Sequence, residues 1–413
     1  MNSGYDAIVV GGGPSGATAA ALLAQAGWRI AVIEKTPFPR QKVCGEFISA
    51  TTWPLLRQLG IAASLLEIAG PVVRRVGLYA GDAMVSAELS APAERADEGG
   101  RALGREHLDT LLLQRAAELG ADVWQPWALS EFAANGDGYD CTVVKKGRRQ
   151  SRALRSRLII AAHGSWESGV MPTQALRYPP RAGDLFGFKA HFTNSALPID
   201  LMPLIAFPGG YGGMVQSDGR RVSLSCCIRR DQLARCRQRL PHAKAGPAVL
   251  AHIEASCRGV AVALSAATLE GEWLSAGPLR TGMRTFGKDG IFAVGNAAAE
   301  AHPIVAEGIS MAIQSACLLC EQLIARQEIQ RPTAFSNEII ASIRKEYATA
   351  WRRNFSRRLE LAALFAHLFM RPVCTRIAAS ALVRVPQLLT WGARWSGKAH
   401  RLRSAREFDV AQS

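Results

Sequence analysis

The segment Ala7-Ile8-Val9-Val10-Gly11-Gly12-Gly13-Pro14-Ser15-Gly16 constrains this chain more than any other. An apolar strand runs into a Gly-x-Gly-x-x-Gly turn, and a second apolar run, Trp28–Ile33, ends at Glu34 and Lys35. Gly11 permits the tight turn. Gly13 lets backbone approach a pyrophosphate, and Gly16 lets the next helix pack close to the strand. Pro14 and Ser15 open that helix, whose N-terminal N–H groups would point at the phosphates. Glu34 stands 18 residues beyond Gly16, close to the roughly 20 expected of an acid that binds a ribose hydroxyl. A lone glycine motif would be weak evidence. Strand, glycines and acid together predict a βαβ unit that binds a dinucleotide.

The chain has 413 residues, enough for two domains or one large domain with an inserted sheet. Apolar residues make up 48% and charged residues 20%, so a sizeable core can be buried. The first apolar run lacks a basic leader and a small-residue cleavage site, and reads as a strand rather than a signal peptide. No stretch reaches the roughly 18 uninterrupted apolar residues of a membrane span. Nine scattered cysteines in so long a chain fit a reducing cytoplasm better than a disulfide scaffold.

The formal net charge is +15. Much of the excess lies late, at Arg344, Lys345, Arg352, Arg353, Arg357, Arg358, Arg371, Arg376, Arg384, Arg394, Lys398, Arg401, Arg403 and Arg406. These residues alternate with apolar helical positions and form no nucleic-acid motif, so nucleic acid is not an expected partner. Two readings stay open. One is a solvated helical face. The other is a docking face for an acidic carrier protein, an anionic membrane surface or a negatively charged substrate. The second reading would make a cytoplasmic protein peripheral to a membrane.

Residues 5–34 read strand–helix–strand, followed by a Pro-containing loop over 35–50. A helix is expected near Thr52–Leu59, strands over Gly70–Leu89, and an acidic loop over Ser90–Gly100. Helical spacing returns over Glu106–Leu119, with a strand over Ala121–Trp124. Asp140–Val144 and Leu154–Ala161 read as strands, and residues 185–229 alternate like an antiparallel sheet. Helices interrupt at about 231–257. Ile291–Val294 is a buried strand, and everything after about Glu307 reads as helix.

Gly295-Asn296-Ala297-Ala298 follows that strand and precedes Glu300-Ala301-His302-Pro303 and Glu307-Gly308-Ile309-Ser310, where a helix begins. Here the chain resembles the flavoprotein family of geranylgeranyl reductases, aromatic hydroxylases and flavin-dependent halogenases. That family shows Gly-Asp-Ala-Ala, a proline, then a glycine-bearing helix start. The resemblance implies FAD and an α/β fold. It implies a discontinuous FAD-binding Rossmann-like domain of the glutathione-reductase type over 1–67, 99–169 and 279–330. A mixed or antiparallel sheet would be inserted over 68–98 and 170–278, with a basic helical region over 331–413.

The same resemblance implies roles for single residues. Asn296 replaces the family's Asp; it can still hold a ribityl hydroxyl but lacks the charge. Backbone N–H groups of Gly308, Ile309 and Ser310 would face the flavin pyrimidine edge and favour its reduced, anionic form. Arg105 matches an arginine near the flavin phosphate and ribityl chain, and Val123 a strand beside adenine. His163, in Ala161-Ala162-His163-Gly164-Ser165, stands where the family has Asp.

The loop Arg40-Gln41-Lys42-Val43-Cys44-Gly45-Glu46 resembles the Lys-Pro-Cys-Gly-Gly loop of geranylgeranyl reductases, which lies close to the flavin ring. Cys44 is a flavin neighbour, a weak acid or a small packed hydrophobe. Glu46 is a proton donor if a dry site raises its pKa, or a carboxylate paired to Lys42 or Arg40. His302 has a pKa range suited to proton transfer, or is a hydrogen-bonded loop histidine. Glu300 and Glu307 share that ambiguity. Phe207, Tyr211 and Met214, around a glycine-rich stretch of the inserted sheet, are substrate-wall or sheet-core residues.

Cys317 and Cys320 lie within one apolar helix and read as packing; no metal site is expected. Cys226 and Cys227, adjacent on a strand, should point to opposite faces. The halogenases' Trp-x-Trp-x-Ile-Pro segment is missing, and so is a second nucleotide fingerprint. Electrons would come from transient NAD(P)H, a partner or the substrate. The favoured activity is hydride transfer at a carbon–carbon bond of a hydrophobic, isoprenoid- or polyketide-like metabolite. Alternatives are a hydroxylase using NAD(P)H and O2, and a flavin-bearing docking module for a membrane or acidic carrier protein.

Overall fold

A computed structural model describes residues 4–89, 99–136, 138–165, 169–174, 179–329 and 336–393. Most of the acidic loop Ser90–Gly100 lies outside the described residues. So do the boundaries drawn at 98, 330 and 331, and Arg394, Lys398, Arg401, Arg403 and Arg406.

The strand Tyr5–Val10 is central to an eight-stranded sheet. Ile30–Ile33 flanks it on one side and Ser151–Ala161 on the other, both parallel. Asp122–Trp124 and Ile291–Ala293 extend the parallel set outward. Strands buried on both faces read as unbroken apolar runs, and Ile30–Ile33 is buried at every position. The helix Pro14–Gln25 is Ala-rich and almost wholly buried. Its small side chains let it fit between the helices Arg105–Glu118 and Gly308–Ile329. The latter carries a window of mean hydropathy 1.4, long and apolar enough to cross a membrane, yet 67% of that window is buried in the protein.

An antiparallel hairpin, Trp127–Asn135 and Gly138–Lys145, pairs with the first half of Ser151–Ala161. Sequence reading misses Trp127–Asn135 because its outer half is exposed and carries no apolar alternation.

The second sheet has seven strands, ordered Thr268–Leu279, Leu185–Thr193, Val222–Arg229, Gly210–Gln216, Leu201–Phe207, Arg75–Ala80 and Ala83–Glu88. All neighbours are antiparallel except Leu201–Phe207 with Arg75–Ala80. Three helices, Arg230–Arg239, Ala245–Ser256 and Arg258–Leu264, accompany this sheet. Phe188, Ile205, Phe207 and Cys226 share one core with residues of these helices. Cys227 belongs to a different cluster with Tyr211 and Ala366, as strand alternation requires.

Ser336 caps the helix Asn337–Phe369, its hydroxyl accepting the Ile339 N–H at 3.3 Å. Tyr347, Trp351 and Phe355 bury one stripe of that helix against the main core, and Tyr347 donates to the Ala293 carbonyl at 2.9 Å. The next helix, Pro372–Arg384, turns away by 105° and packs Ala379 and Leu382 on Leu78, Ala80 and Val85 of the second sheet.

Candidate active site

The glycine turn lies where the central parallel strands end. Gly11 has φ +110°, and a Cβ there would stand 2.5 Å from the Ala162 carbonyl oxygen. A Cβ on Gly16 would stand 1.9 Å from the Gly11 oxygen, so a side chain there would displace the helix, and one on Gly11 would displace the backbone at Ala162. Gly13 caps the helix without any side-chain acceptor, leaving its first N–H groups available to a ligand.

Two guanidiniums flank this turn. A Gly13 Cβ would lie 3.6 Å from Arg40 Nη2 and 3.8 Å from Arg105 Nη2. Buried Asp109 positions both: Arg105 gives it two hydrogen bonds of 2.7 Å, and Arg40 stands 3.4 Å away. Burial alone would ease deprotonation of Arg105, but Asp109, and then Cys44, hold the guanidinium above its ordinary pKa. Arg40 also stacks on Phe38 at 4.6 Å, and its Nε is buried without a hydrogen-bond partner. Sequence reading gave Arg40 no such role and missed Asp109. The i,i+4 spacing of Arg105 and Asp109 was the available signal.

Glu34 first serves the protein. Its Oε2 accepts the Gly12 N–H and its Oε1 the Thr36 N–H, both at 2.8 Å. Each oxygen keeps a further lone pair for a ribose hydroxyl. Gly11, Gly13, Pro14, Ser15, Glu34, Lys35, Arg40 and Arg105 all line one cavity of about 810 Å³. Val123 does not; its strand is the outermost parallel row, beyond Ile30–Ile33.

The cavity continues to the Asn296–Ile309 loop. Asn296, Glu300, His302, Gly308 and Ile309 line it. The first bond of the following helix runs from Met311 N–H to the Glu307 oxygen at 2.8 Å, so the N–H groups of residues 308–310 precede the ladder. Ser310 is buried behind this lining, its hydroxyl taking hydrogen bonds from the Ser49 N–H at 3.2 Å and the Ser49 hydroxyl at 3.0 Å. The Asn296 carbonyl accepts from Arg284. His163 Nε2 meets Thr173 Oγ1 at 2.7 Å, which ties down its loop in the absence of an aspartate.

Glu46 lines the cavity too, but it is not the protonated acid that a dry site would make. Burial pushes its pKa up; hydrogen bonding to His191 and the charge of Lys189 outweigh this and hold it at about 2. Lys189 Nζ donates to Oε1, and His191 Nε2 lies 2.9 Å from Oε2. The partners expected, Lys42 or Arg40, are not the ones found. Both actual partners come from the strand Leu185–Thr193, far away in sequence, and all three residues are buried. Cys44 lines the cavity and its sulfur accepts the Glu46 N–H at 3.4 Å.

His302 and Tyr211 also line the cavity. His302 Nδ1 lies 3.1 Å from the Tyr211 hydroxyl and its Nε2 lies 3.0 Å from Thr281 Oγ1. Burial, and then neighbouring His367, lower the His302 pKa to about 4, so it is neutral at pH 7. Burial, with Cys227 next, keeps Tyr211 protonated well beyond the ordinary phenol range. Glu300 is pushed up to about 7 by burial, which the nearby Arg284 at 3.2 Å opposes only in part. Met214 lines the cavity while packing in the sheet–helix core. Phe207 is core alone: it points to the other face and meets His252 at 5.8 Å between ring centroids.

Away from the cavity, Glu106, His107 and Asp218 bring potential ligand atoms within 4.8 Å of one another. Arg221 ion-pairs with both carboxylates and supplies the positive charge there.

These features fit one extended, two-ended cofactor: an anion cradle of glycine backbone, open N–H groups and paired guanidiniums, joined by a continuous cavity to a second open helix start. The family of the FAD binding domain matches residues 4–334. The chain belongs to that family. It is an FAD-dependent oxidoreductase. Digeranylgeranylglycerophospholipid reductase 1 of Methanopyrus kandleri is 26% identical over 88% of this chain and 90% of its own. A menaquinone reductase of Mycolicibacterium smegmatis is 30% identical over 36% of this chain and 35% of its own. Among solved structures, a myxobacterial chondrochloren halogenase matches with TM-score 0.75 at 19% identity, covering 94% of this chain and 90% of that one. This last likeness is one of fold.

Proposed function

We propose that this flavoprotein reduces a carbon–carbon double bond in a long hydrophobic metabolite of isoprenoid type, with NAD(P)H as a transient electron donor. The observation that carries the reading is the aliphatic arm of the cavity. There the cavity is lined by Leu204, Phe365, Phe369, Ala378, Leu382 and Leu389, four aliphatic and two aromatic side chains. Such a wall favours an extended hydrocarbon through burial of apolar surface. Similarity to a digeranylgeranylglycerophospholipid reductase over nearly the full length supports the same class.

Reduced FAD supplies a hydride when bound. The protein must then supply a proton to the second carbon. Tyr211 is suited to this, because its hydroxyl stays protonated and is held by neutral His302, with Thr281 on the far nitrogen. Glu46 is suited instead to fixing the Cys44–Gly45 loop, since a carboxylate held ionised by its contacts with Lys189 and His191 has no proton to give at pH 7.

Anaerobic mixing of reduced enzyme with a polyprenyl alkene tests the reading. Expected is flavin reoxidation without O2, with two hydrogens added to the product, one of them from solvent. Reoxidation only with O2, together with oxygen in the product, would make the enzyme a hydroxylase.

A further inference from the structure

We propose that the outer face of the segment 364–391 docks on an anionic phospholipid bilayer and that the aliphatic arm opens there. Large apolar side chains are unusually exposed along this stretch: Val373 at 59%, Ile377 at 67%, Val383 at 58% and Trp391 at 60%. On the helix Pro372–Arg384, successive residues are separated by about 100°. Val373, Arg376, Ile377, Ser380, Val383 and Arg384 then share one outward arc of about 120°. The inward arc carries Thr375, Ala379 and Leu382, which are buried, and the arc between them carries Cys374, Ala378 and Ala381, which line the cavity. One helix therefore faces solvent, core and cavity, with Leu382 shared between core and cavity.

Two observations choose a bilayer as the occupant. Residues 371–393 contain Arg371, Arg376 and Arg384 and no Asp or Glu, which complements an anionic surface. The exposed aliphatics are interleaved with those arginines rather than gathered in a pocket, as in helices that lie in a membrane interface. An acidic protein would match the arginines but leave the aliphatics without partners. Leu368, Leu388 and Trp391 are both exposed and part of the cavity wall, so the cavity reaches the surface within this patch. A lipid-borne substrate would thus enter without crossing water. This last step rests on the proposed hydrophobic substrate; the docking itself does not.

The test is flotation of the full-length holoenzyme with phosphatidylcholine vesicles, with and without phosphatidylglycerol. Binding is expected to be about tenfold or more tighter with the anionic lipid. Ile377→Glu with Val383→Glu, neither in the cavity wall, should abolish flotation while flavin absorbance and thermal melting stay unchanged. Arg376→Gln with Arg384→Gln should weaken it about tenfold. Absence of flotation with either vesicle overturns the docking. Vesicle binding that survives both pairs of substitutions places the docking face elsewhere and overturns it equally. Turnover of a detergent-dispersed polyprenyl substrate is measured separately, so failure of the reaction reading is seen independently of vesicle binding.

Discussion

Two loops wrap the same cavity and each buries a carboxylate, yet the two acids behave oppositely. In the loop 40–46, Glu46 is held at about 2; in the loop 296–307, Glu300 rises to about 7. Burial raises both. The difference lies in partners: Glu46 meets Lys189 and His191 directly, whereas Glu300 has Arg284 at 3.2 Å, itself partly occupied with the Asn296 and Arg280 carbonyls. Dryness alone therefore does not make a proton donor; hydrogen bonds to the carboxylate and the charge beside it decide the protonation state.

The largest effect should come from breaking the Glu46 cluster. Glu46→Gln leaves the Lys189 ammonium buried without an anion, and unfolding stability should fall by about 3–5 kcal/mol. Adding Lys189→Met should restore much of the loss, because both charges are then gone. Urea unfolding of the two variants measures this. If the double variant is no more stable than Glu46→Gln, the ion pair is not the reason that the loop is fixed.

Glu46 is also where sequence reading fails most plainly, and the cause is distance along the chain. Arg40 and Lys42 are its visible neighbours, but the partners sit on the strand Leu185–Thr193, and no local pattern announces a contact across about 145 residues. The glycine turn is the opposite case. Gly11 has a positive φ and Gly16 packs on the Gly11 oxygen, constraints set within their own βαβ unit, so their spacing was legible even though Gly11 also meets Ala162. Asp109 lay between these extremes, marked only by its i+4 spacing to Arg105. Phe207, left open between substrate wall and sheet core, is core; its face cannot be read until the strand pairing is known.

A pH series sharpens the contrast between the two acids. The pKa of Glu46 is depressed on folding, from the usual 4.5 to about 2. Its contribution is present above pH 4.5 and is lost as pH falls toward 2, by about 3 kcal/mol at about 1.4 kcal/mol per pH unit. Glu300 runs the other way, from 4.5 up to about 7. Its contribution is present below pH 4.5 and is lost as pH rises through 7. Glu300→Gln should therefore be more stable than the parent at pH 8, by about 3 kcal/mol, with the gain vanishing near pH 4. Melting temperatures across pH 4–8 would show the crossing; parallel curves would mean that Glu300 stays ionised throughout.

The smallest change in stability should accompany the largest change in chemistry, at Tyr211. Tyr211→Phe removes one hydroxyl from a neutral hydrogen bond of 3.1 Å to His302. That costs about 1 kcal/mol, because the ring still fills its place and neutral His302 keeps Thr281. If Tyr211 delivers the proton, turnover should fall by about 100-fold or more. The rate at which hydride donor reduces the flavin should be unchanged, since no proton from Tyr211 enters that half-reaction. The solvent isotope effect on alkene reduction should change with the new proton source. Equal losses in both half-reactions would show that Tyr211 shapes the cavity rather than supplying the proton. The proton source for the alkene would then have to be sought at Glu300, an acid of this cavity whose pKa lies near neutrality.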